Sequence, residues 1–223
     1  MKKTSPKKKA SKEYKIILVG DLGVGKASII SEFAKDNPEN EEIAKFTEQY
    51  RRQYIEIPDG PTTALEIYKI PVNDMLDKDS LNIFYKGANA AILVFDITNE
   101  KSFERIQDYW LQEVKKNTNK KVVLALAANK SDLYEERKVP KDDAKNFARN
   151  NLHIYGEINV KSPSTIERLF ENIVRKIINP KFDYFEEEDK KMLNFANKKL
   201  QGPNEIKGDK KKEKKKQGLC TFC

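Results

Sequence analysis

The sequence predicts an α/β fold, a mainly parallel sheet covered by helices on both faces. Two observations predict it. Short continuous runs of β-branched and apolar residues, the pattern of fully buried strands, alternate with stretches whose apolar residues recur at helical spacing. The first of these runs also ends in a glycine-rich loop that opens directly into a helix. Sheets of this kind use right-handed crossovers and bind ligands beyond the carboxyl ends of their strands.

The elements follow in order. The run 14-YKIILVG-20 is a buried strand, and 26-KASIISEFAK-35 is a helix with Ile29, Ile30 and Phe33 on one face. The stretch 50-YRRQYIEI-57 alternates like a half-exposed strand. A turn at 58-PDGPTT-63 joins it to 64-ALEIYKI-70 as an antiparallel hairpin. Two further buried strands, 90-AAILVFDI-97 and 121-KVVLALAA-128, flank a helix over 100–117 with Phe103, Ile106, Trp110, Leu111 and Val114 on one stripe. Trp110 reads as a core anchor of that helix, with no chemistry assigned. A shorter helix begins at Pro140, a favoured first-turn residue. The weak strand 153-HIYGEI-158 starts at the single histidine, His153, which has no sequence partner suggesting catalysis. The last helix, 163–178, carries Ile166, Leu169, Phe170, Ile173, Val174 and Ile177 on one stripe. Residues 13–178 thus form one domain, and 179–223 read as a flexible basic tail.

Charge is concentrated at the ends. The whole chain carries a formal net charge of +8, yet residues 1–12 hold six lysines and no acid, and residues 207–223 have a net charge of +5. That leaves −3 for residues 13–206, a mildly acidic body. Basic ends suit an anionic surface, membrane or nucleic acid, but residues 1–12 read rather as a solvated, disordered basic extension. No apolar run reaches bilayer length and the N-terminus has no apolar leader, so the expected location is the cytosol. The only cysteines are Cys220 and Cys223, so no internal disulfide ties the core.

The loop 20-GDLGVGKAS-28 fits G-x-x-x-x-G-K at Gly20, Gly25 and Lys26, in the strand–loop–helix context that the motif requires. Glycines let the backbone wrap phosphates, the amides of residues 23–28 point inward, and the helix N-terminus adds a favourable dipole. Lys26 is placed to neutralise β- and γ-phosphate charge.

A second motif names the base. Residues 129-NKSDL-133 follow a buried strand, and Asn129 and Asp132 match N-K-x-D. The segment 157-EINVKS-162 is similar to E-T-S-A-K. The chain thereby resembles the Ras superfamily of small GTPases over roughly residues 13–178. It is closest to the Rab branch, which 85-YKGANAAILVFDITNEKSFERI-106 resembles almost continuously. The resemblance implies a P-loop small GTPase fold: a six-stranded, mostly parallel sheet with one antiparallel edge strand, and five helices. It implies GTP and GDP as ligands. Nucleotide contacts would come from Gly20, Leu22, Gly23, Val24, Gly25, Lys26, Ala27 and Ser28, and from Asn129, Lys130, Asp132, Leu133, Val160 and Lys161. In the family the aspartate accepts from the guanine N1 and N2 groups, which adenine cannot satisfy, so an enzyme acting on ATP is disfavoured.

The sequence departs from the family where magnesium is held. The hydroxyl after the P-loop lysine is Ala27, and the neighbouring Ser28 should face elsewhere. The first-switch threonine falls on Lys45, with Thr47 usable only if the loop slides by two residues. The motif D-T-A-G-Q becomes 69-KIPVN-73. Lys69 then replaces a carboxylate, Val72 a glycine that approaches the γ-phosphate, and Asn73 the glutamine that orients water, one methylene short. Pro38 stands where an aromatic usually packs on guanine, and Phe46 is a candidate replacement. No catalytic residue is assigned, and no metal ligand: magnesium binding is in doubt. Losing such groups costs about two to five decades in rate, so little or no intrinsic hydrolysis is expected. Lys45 and Lys69 would carry ammonium groups to the place of the metal; the plainer expectation is that both are solvated.

The chain stops at 220-CTFC-223, with 210–216 nearly all lysine. Read as C-a-a-X, Cys220 is prenylated; read as a Rab-like end, Cys220 and Cys223 both carry lipid. The C-x-x-C spacing also serves metal and redox sites, which need ligands absent here. The lysine run supplies the second membrane signal that one lipid requires. The leading reading is a Rab-like guanine nucleotide-binding switch or scaffold in vesicle trafficking, on the cytoplasmic face of intracellular membranes. The alternative is a pseudo-GTPase interaction module that no longer cycles. Expected partners are guanine nucleotide, a membrane and effector proteins at the switch segments, not nucleic acid. A homodimer contact is a further way to hold a switch that has lost its γ-phosphate clamp.

Overall fold

The computed structural model describes residues 10–45, 47–57, 62–72 and 78–200. The chain runs β1 (Lys12–Val19), α1 (Lys26–Phe33), α2 (Glu39–Ala44), β2 (Tyr50–Ile55), β3 (Thr63–Lys69), α3 (Lys78–Tyr85) and β4 (Ala90–Asp96). It continues through α4 (Glu100–Arg105), a π-helical turn (Ile106–Trp110), α5 (Leu111–Asn117), β5 (Val123–Asn129), α6 (Lys141–Asn151), β6 (Ile154–Glu157), α7 (Pro163–Ile178) and α8 (Tyr184–Leu200). The strands form one sheet in the order β2-β3-β1-β4-β5-β6. Only β2 is antiparallel, pairing Tyr50 with Tyr68 and Ile55 with Thr63 at the sheet edge. The expected fold class is therefore present, and the expected strands lie within two residues of those observed.

The sheet is buried on both faces, and a period of two sorts its side chains. Ile17, Val19, Leu93, Phe95, Leu124 and Leu126 face one core, closed by Phe103, Ile106, Trp110 and Val114 of the 100–117 helical run and by Ala144 and Ala148 of α6. Ile16, Leu18, Ile92, Val94, Val123 and Ala125 face the other, closed by Ile29, Ile30 and Phe33 of α1 and by the stripe of α7. There Phe33 and Phe170 stack at 3.9 Å between ring centroids. Full burial of each large apolar side chain contributes about 1.5–3 kcal/mol, which is why continuous apolar runs became central strands.

Four helical segments match expectation: α1, the run α4–π–α5, α6 and α7. Three others, α2, α3 and α8, are not placed by the sequence pattern. The short α2 is pinned from within: the buried Asn40 amide donates to the carbonyls of Ala34 and Arg52, and its oxygen accepts from the Arg52 N–H at 2.8 Å. Side-chain amides rather than apolar periodicity make this element, so the sequence pattern is silent. Helix α8 lies within 179–223, the stretch that the sequence reads as a tail. Its first residues belong to the α/β body, with Phe185 buried beneath the Arg149 guanidinium. From Glu187 the chain counts as a second unit, where Lys191 pairs with Glu187 and Glu188 one helical turn back. Such i, i+3 and i, i+4 pairs support a helix that has no continuous apolar stripe. The N-terminal lysines at 2–9, Phe46, the turn at 58–61, Asn73, residues 201–223 and with them Cys220 and Cys223 lie outside the described residues.

His153 is structural, as expected. Its backbone extends the β5–β6 pairing, and its Nδ1 accepts the Leu124 N–H at 3.0 Å. Burial, with the Lys176 charge beside it, pushes its pKa below the usual 6.5. The folded protein thus resists a proton that the unfolded chain accepts. Its contribution is complete above about pH 6.5 and is lost as pH falls below that. We expect the urea midpoint to drop between pH 7.5 and pH 5.5, and a His153→Asn variant, which keeps an acceptor but does not titrate, to show a flatter slope.

Candidate functional site

Parallel strands point their carboxyl ends to one edge of the sheet, and the sequence-predicted residues gather there. Gly20 follows β1, Lys69 ends β3, Asp96 ends β4, Asn129 ends β5 and Glu157 ends β6. The register sets their neighbours: Leu18 lies opposite Lys69, and Asp96 opposite Asn129. Chain order reverses around β1, since β3 lies to one side and β4 to the other. A crevice opens at such a switch point.

The phosphate loop fills it. Gly20 has φ 140° and Gly25 φ 97°. A Cβ on Gly20 would strike the Val94 carbonyl, and one on Gly25 the Asn129 side-chain amide. Both positions therefore require glycine on two grounds, backbone conformation and space. Val24 is buried and its carbonyl accepts the Asn129 Nδ2 at 2.8 Å. Leu22, Ala27 and Ser28 are exposed, as is Gly23 at the loop crest. Lys26 is buried, its Nζ donating to the carbonyls of Gly20 at 2.5 Å and Asp21 at 2.7 Å. Burial pulls its pKa down to about 8; the Asp21 carboxylate opposes this and the Lys69 charge reinforces it.

One side chain braces the loop from behind. Asp21 Oδ1 accepts the Trp110 indole N–H at 2.7 Å and the Arg105 Nε at 2.8 Å. Trp110 ends the π-helical turn, and such a turn re-aims side chains that a regular helix would place elsewhere. Trp110 is thus a core anchor, 4% exposed, and also a hydrogen-bond donor to the phosphate loop, which corrects its reading as packing alone. Neither Asp21, Arg105 nor Trp110 was legible as a set: the polar tip of a buried tryptophan needs a partner, but only the fold says which.

The base-side motifs meet across β5 and β6. The Ser131 N–H donates to the Ile158 carbonyl at 3.2 Å, and Asn159 Nδ2 to Ser131 Oγ at 3.2 Å. Glu157, held by Arg137 at 2.7 Å and Lys141 at 2.9 Å, anchors the start of the second segment. Lys130 takes a left-handed conformation, φ 61°, and its ammonium lies 2.5 Å from Asp96, whose other oxygen caps Thr98. Burial would raise the Asp96 pKa, but Lys130 and Thr98 together hold it below the usual value. Asp132 is bridged by Lys161 at 2.6 Å, which lowers its pKa. Leu133 closes the turn, its N–H donating to the Lys130 carbonyl, and Val160 stands exposed beside Lys161. Asn159 Oδ1 is buried without a hydrogen-bond partner among the described residues.

The switch residues separate. Lys45 is exposed and paired with Glu42 at 2.8 Å, one turn back, which agrees with the plainer expectation for it. Thr47 Oγ1 accepts the Gln49 N–H at 3.0 Å as a local turn. Lys69 is held at the site: its N–H donates to the Gln49 carbonyl at 2.8 Å, the following Ile70 N–H donates to Leu18, and its charge reaches Lys26. Val72 is exposed and Asn73 lies outside the described residues.

Magnesium is the metal that the resemblance implies here, and the residues present do not fit it. Ala27 offers no side-chain oxygen, Lys69 offers an ammonium, and the nearby Asp21 and Asp96 carboxylates are each already paired with a cation. Like charges repel a divalent ion, so two lysines at the loop oppose rather than recruit one.

A family model described as the Ras family matches residues 15–179. Ras-related protein RABF2b of Arabidopsis thaliana is 34% identical over 163 residues, covering 73% of this chain and 80% of the relative. Ras-related protein Rab-13 of Bos taurus is 34% identical over 165 residues, 74% of this chain and 80% of the relative. Ras-related protein Rab-31 of Rattus norvegicus is 31% identical over 196 residues, 86% of this chain and 96% of the relative.

The Asp21 brace is measurable on its own. Trp110→Phe keeps most of the apolar packing and removes the donor, and should lower stability by about 1.5–3 kcal/mol in urea unfolding, the worth of a hydrogen bond to a charged group. Repeating the substitution in an Asp21→Ala background should cost clearly less. Equal losses in the two backgrounds would mean that the indole contributes by packing only.

Proposed function

Since the chain belongs to the Ras family, as a Rab-like small GTPase whose family membership implies GTP and GDP binding, we propose that it binds guanine nucleotide across Gly20–Ser28, Asn129–Leu133 and Val160–Lys161. The observation that carries this is the hydrogen bond from Asn129 to the Val24 carbonyl. It joins the loop shaped for phosphates to the motif shaped for guanine, so that one ligand spans both. In this reading Asp132 supplies the acceptor carboxylate for the base, and Lys26 carries the charge for phosphate.

Hydrolysis in this reading is weak. Positioning and charge do most of the work of phosphoryl transfer. Ala27, Lys69 and Val72 supply neither an oxygen donor nor a close backbone approach, and Asn73 stands in for the glutamine. The protein then acts as a slow switch or a scaffold in vesicle trafficking, with effectors at the segments around Lys45–Gln49 and Lys69–Asn73. Cys220, Cys223 and the lysine run at 210–216 suit lipid attachment at the cytoplasmic face of an intracellular membrane. The exposed lysine and valine at positions 45 and 72 equally favour a second reading, a pseudo-GTPase that presents this surface without cycling.

Nucleotide released from the purified protein by denaturation, separated by chromatography, should be GDP or GTP. Asp132→Ala should weaken GDP by about a hundredfold or more, from the loss of two hydrogen bonds to a charged acceptor, while ATP fails to compete. A protein that is recovered empty and has no measurable guanine nucleotide affinity would leave the pseudo-GTPase reading in its place.

A further inference from the structure

Three features of the phosphate loop stand unexplained by the reading above. Lys69 is half-buried at the carboxyl end of β3, opposite Leu18 and beside the start of the loop. Its backbone is tied on two sides, to Gln49 of the first switch segment and, through Ile70, to Leu18 of β1. Among the described residues no carboxylate pairs with it. Lys26 in turn has only backbone carbonyls as partners for its ammonium. The one carboxylate in the loop, Asp21, is turned away and neutralised by Arg105.

We propose that the loop binds the phosphates of its nucleotide without a divalent cation, Lys26 and Lys69 together supplying the positive charge. The inference rests on the reading of the loop as a nucleotide site. Its argument is one of charge and reach. The Lys69 charge acts on the buried Lys26 ammonium, and the carboxylate nearest to Lys26, that of Asp21, is already paired with Arg105, an arrangement that repels Mg²⁺ and that an anion of two or more charges relieves. Burial is the main cause of the lowered Lys26 pKa; the Asp21 carboxylate opposes it and the Lys69 charge adds to it, in keeping with Lys69 lying near the loop. An ammonium on a flexible stem has three donors, enough to bridge neighbouring phosphate oxygens as a metal does. Lys45 takes no part, because its ammonium is spent on Glu42. The distribution of roles is thus unequal: one lysine of the two expected near the metal position serves the ligand, and the other caps its own helix.

The test is titration of the full-length protein with fluorescent GDP, in excess Mg²⁺ and in excess EDTA. The two dissociation constants should agree within about threefold. Lys69→Gln, which keeps a polar side chain one atom shorter and removes the charge, should weaken GDP about tenfold or more in both conditions, the worth of one charge-assisted bond. Lys69→Arg should restore most of the loss. GMP, which lacks the β-phosphate, should bind wild type and Lys69→Gln equally, an outcome that a merely misfolded loop would not give. Unfolding midpoints of the ligand-free variants provide the check on folding. Tightening of wild-type binding by more than about tenfold on adding Mg²⁺ would overturn the proposal, as would GDP affinity unchanged in Lys69→Gln. No affinity under any condition overturns instead the reading of the loop as a nucleotide site, and the two failures are told apart by the EDTA arm.

Discussion

A parallel sheet buried on both faces leaves one place for chemistry. The helices that cover β1, β4 and β5 exclude water from both surfaces, so polar groups can survive only where the strands end. Five residues of the site mark those strand ends. Gly20, Lys69, Asp96, Asn129 and Glu157 are the terminal or next residues of five parallel strands, and the register between those strands sets their spacing. The two packed cores are therefore what holds the loops in position. Phe33 and Phe170 keep α1 and α7 against one face, and Trp110 keeps the 100–117 run against the other.

At that edge, electrostatics do not balance within the described residues. Asp96 is matched by Lys130, Asp132 by Lys161 and Asp21 by Arg105, each within 2.8 Å or less. Lys26 and Lys69 are left over. In a mildly acidic body this concentration of positive charge is local, and a ligand that carries several negative charges is its natural complement. Lys130 and Lys161 favour the ionised forms of Asp96 and Asp132.

Much of this was legible beforehand. The phosphate loop, the N-K-x-D motif and the buried strands are runs of consecutive residues, and their meaning lies in local spacing. The helical run at 100–117 was found from its stripe, but its π turn was not, because a one-residue change of register leaves the apolar pattern intact. Helix α2 escaped notice because Asn37 and Asn40 build it through amide bonds to Arg52 rather than through periodicity. The stretch that forms helix α8 reads as tail in the sequence because its support comes from charge pairs, the same composition that a solvated segment has.

What the sequence determined by itself was the identity of the groups: a glycine-framed loop with one lysine, an asparagine and aspartate three apart, an alanine and two lysines where oxygen ligands are expected. Short-range backbone geometry suffices for that, since φ at Gly20 and Gly25 follows from the motif. The tertiary structure decided which groups meet. Lys69 and Lys45 look alike in the sequence, yet pairing with β1 carries one to the loop and a helical turn binds the other to Glu42. Trp110 and Asp21 are 89 residues apart and are joined only because the 100–117 run crosses the sheet beneath the loop. Contacts at that separation are set by how whole elements pack, and no window of sequence contains them.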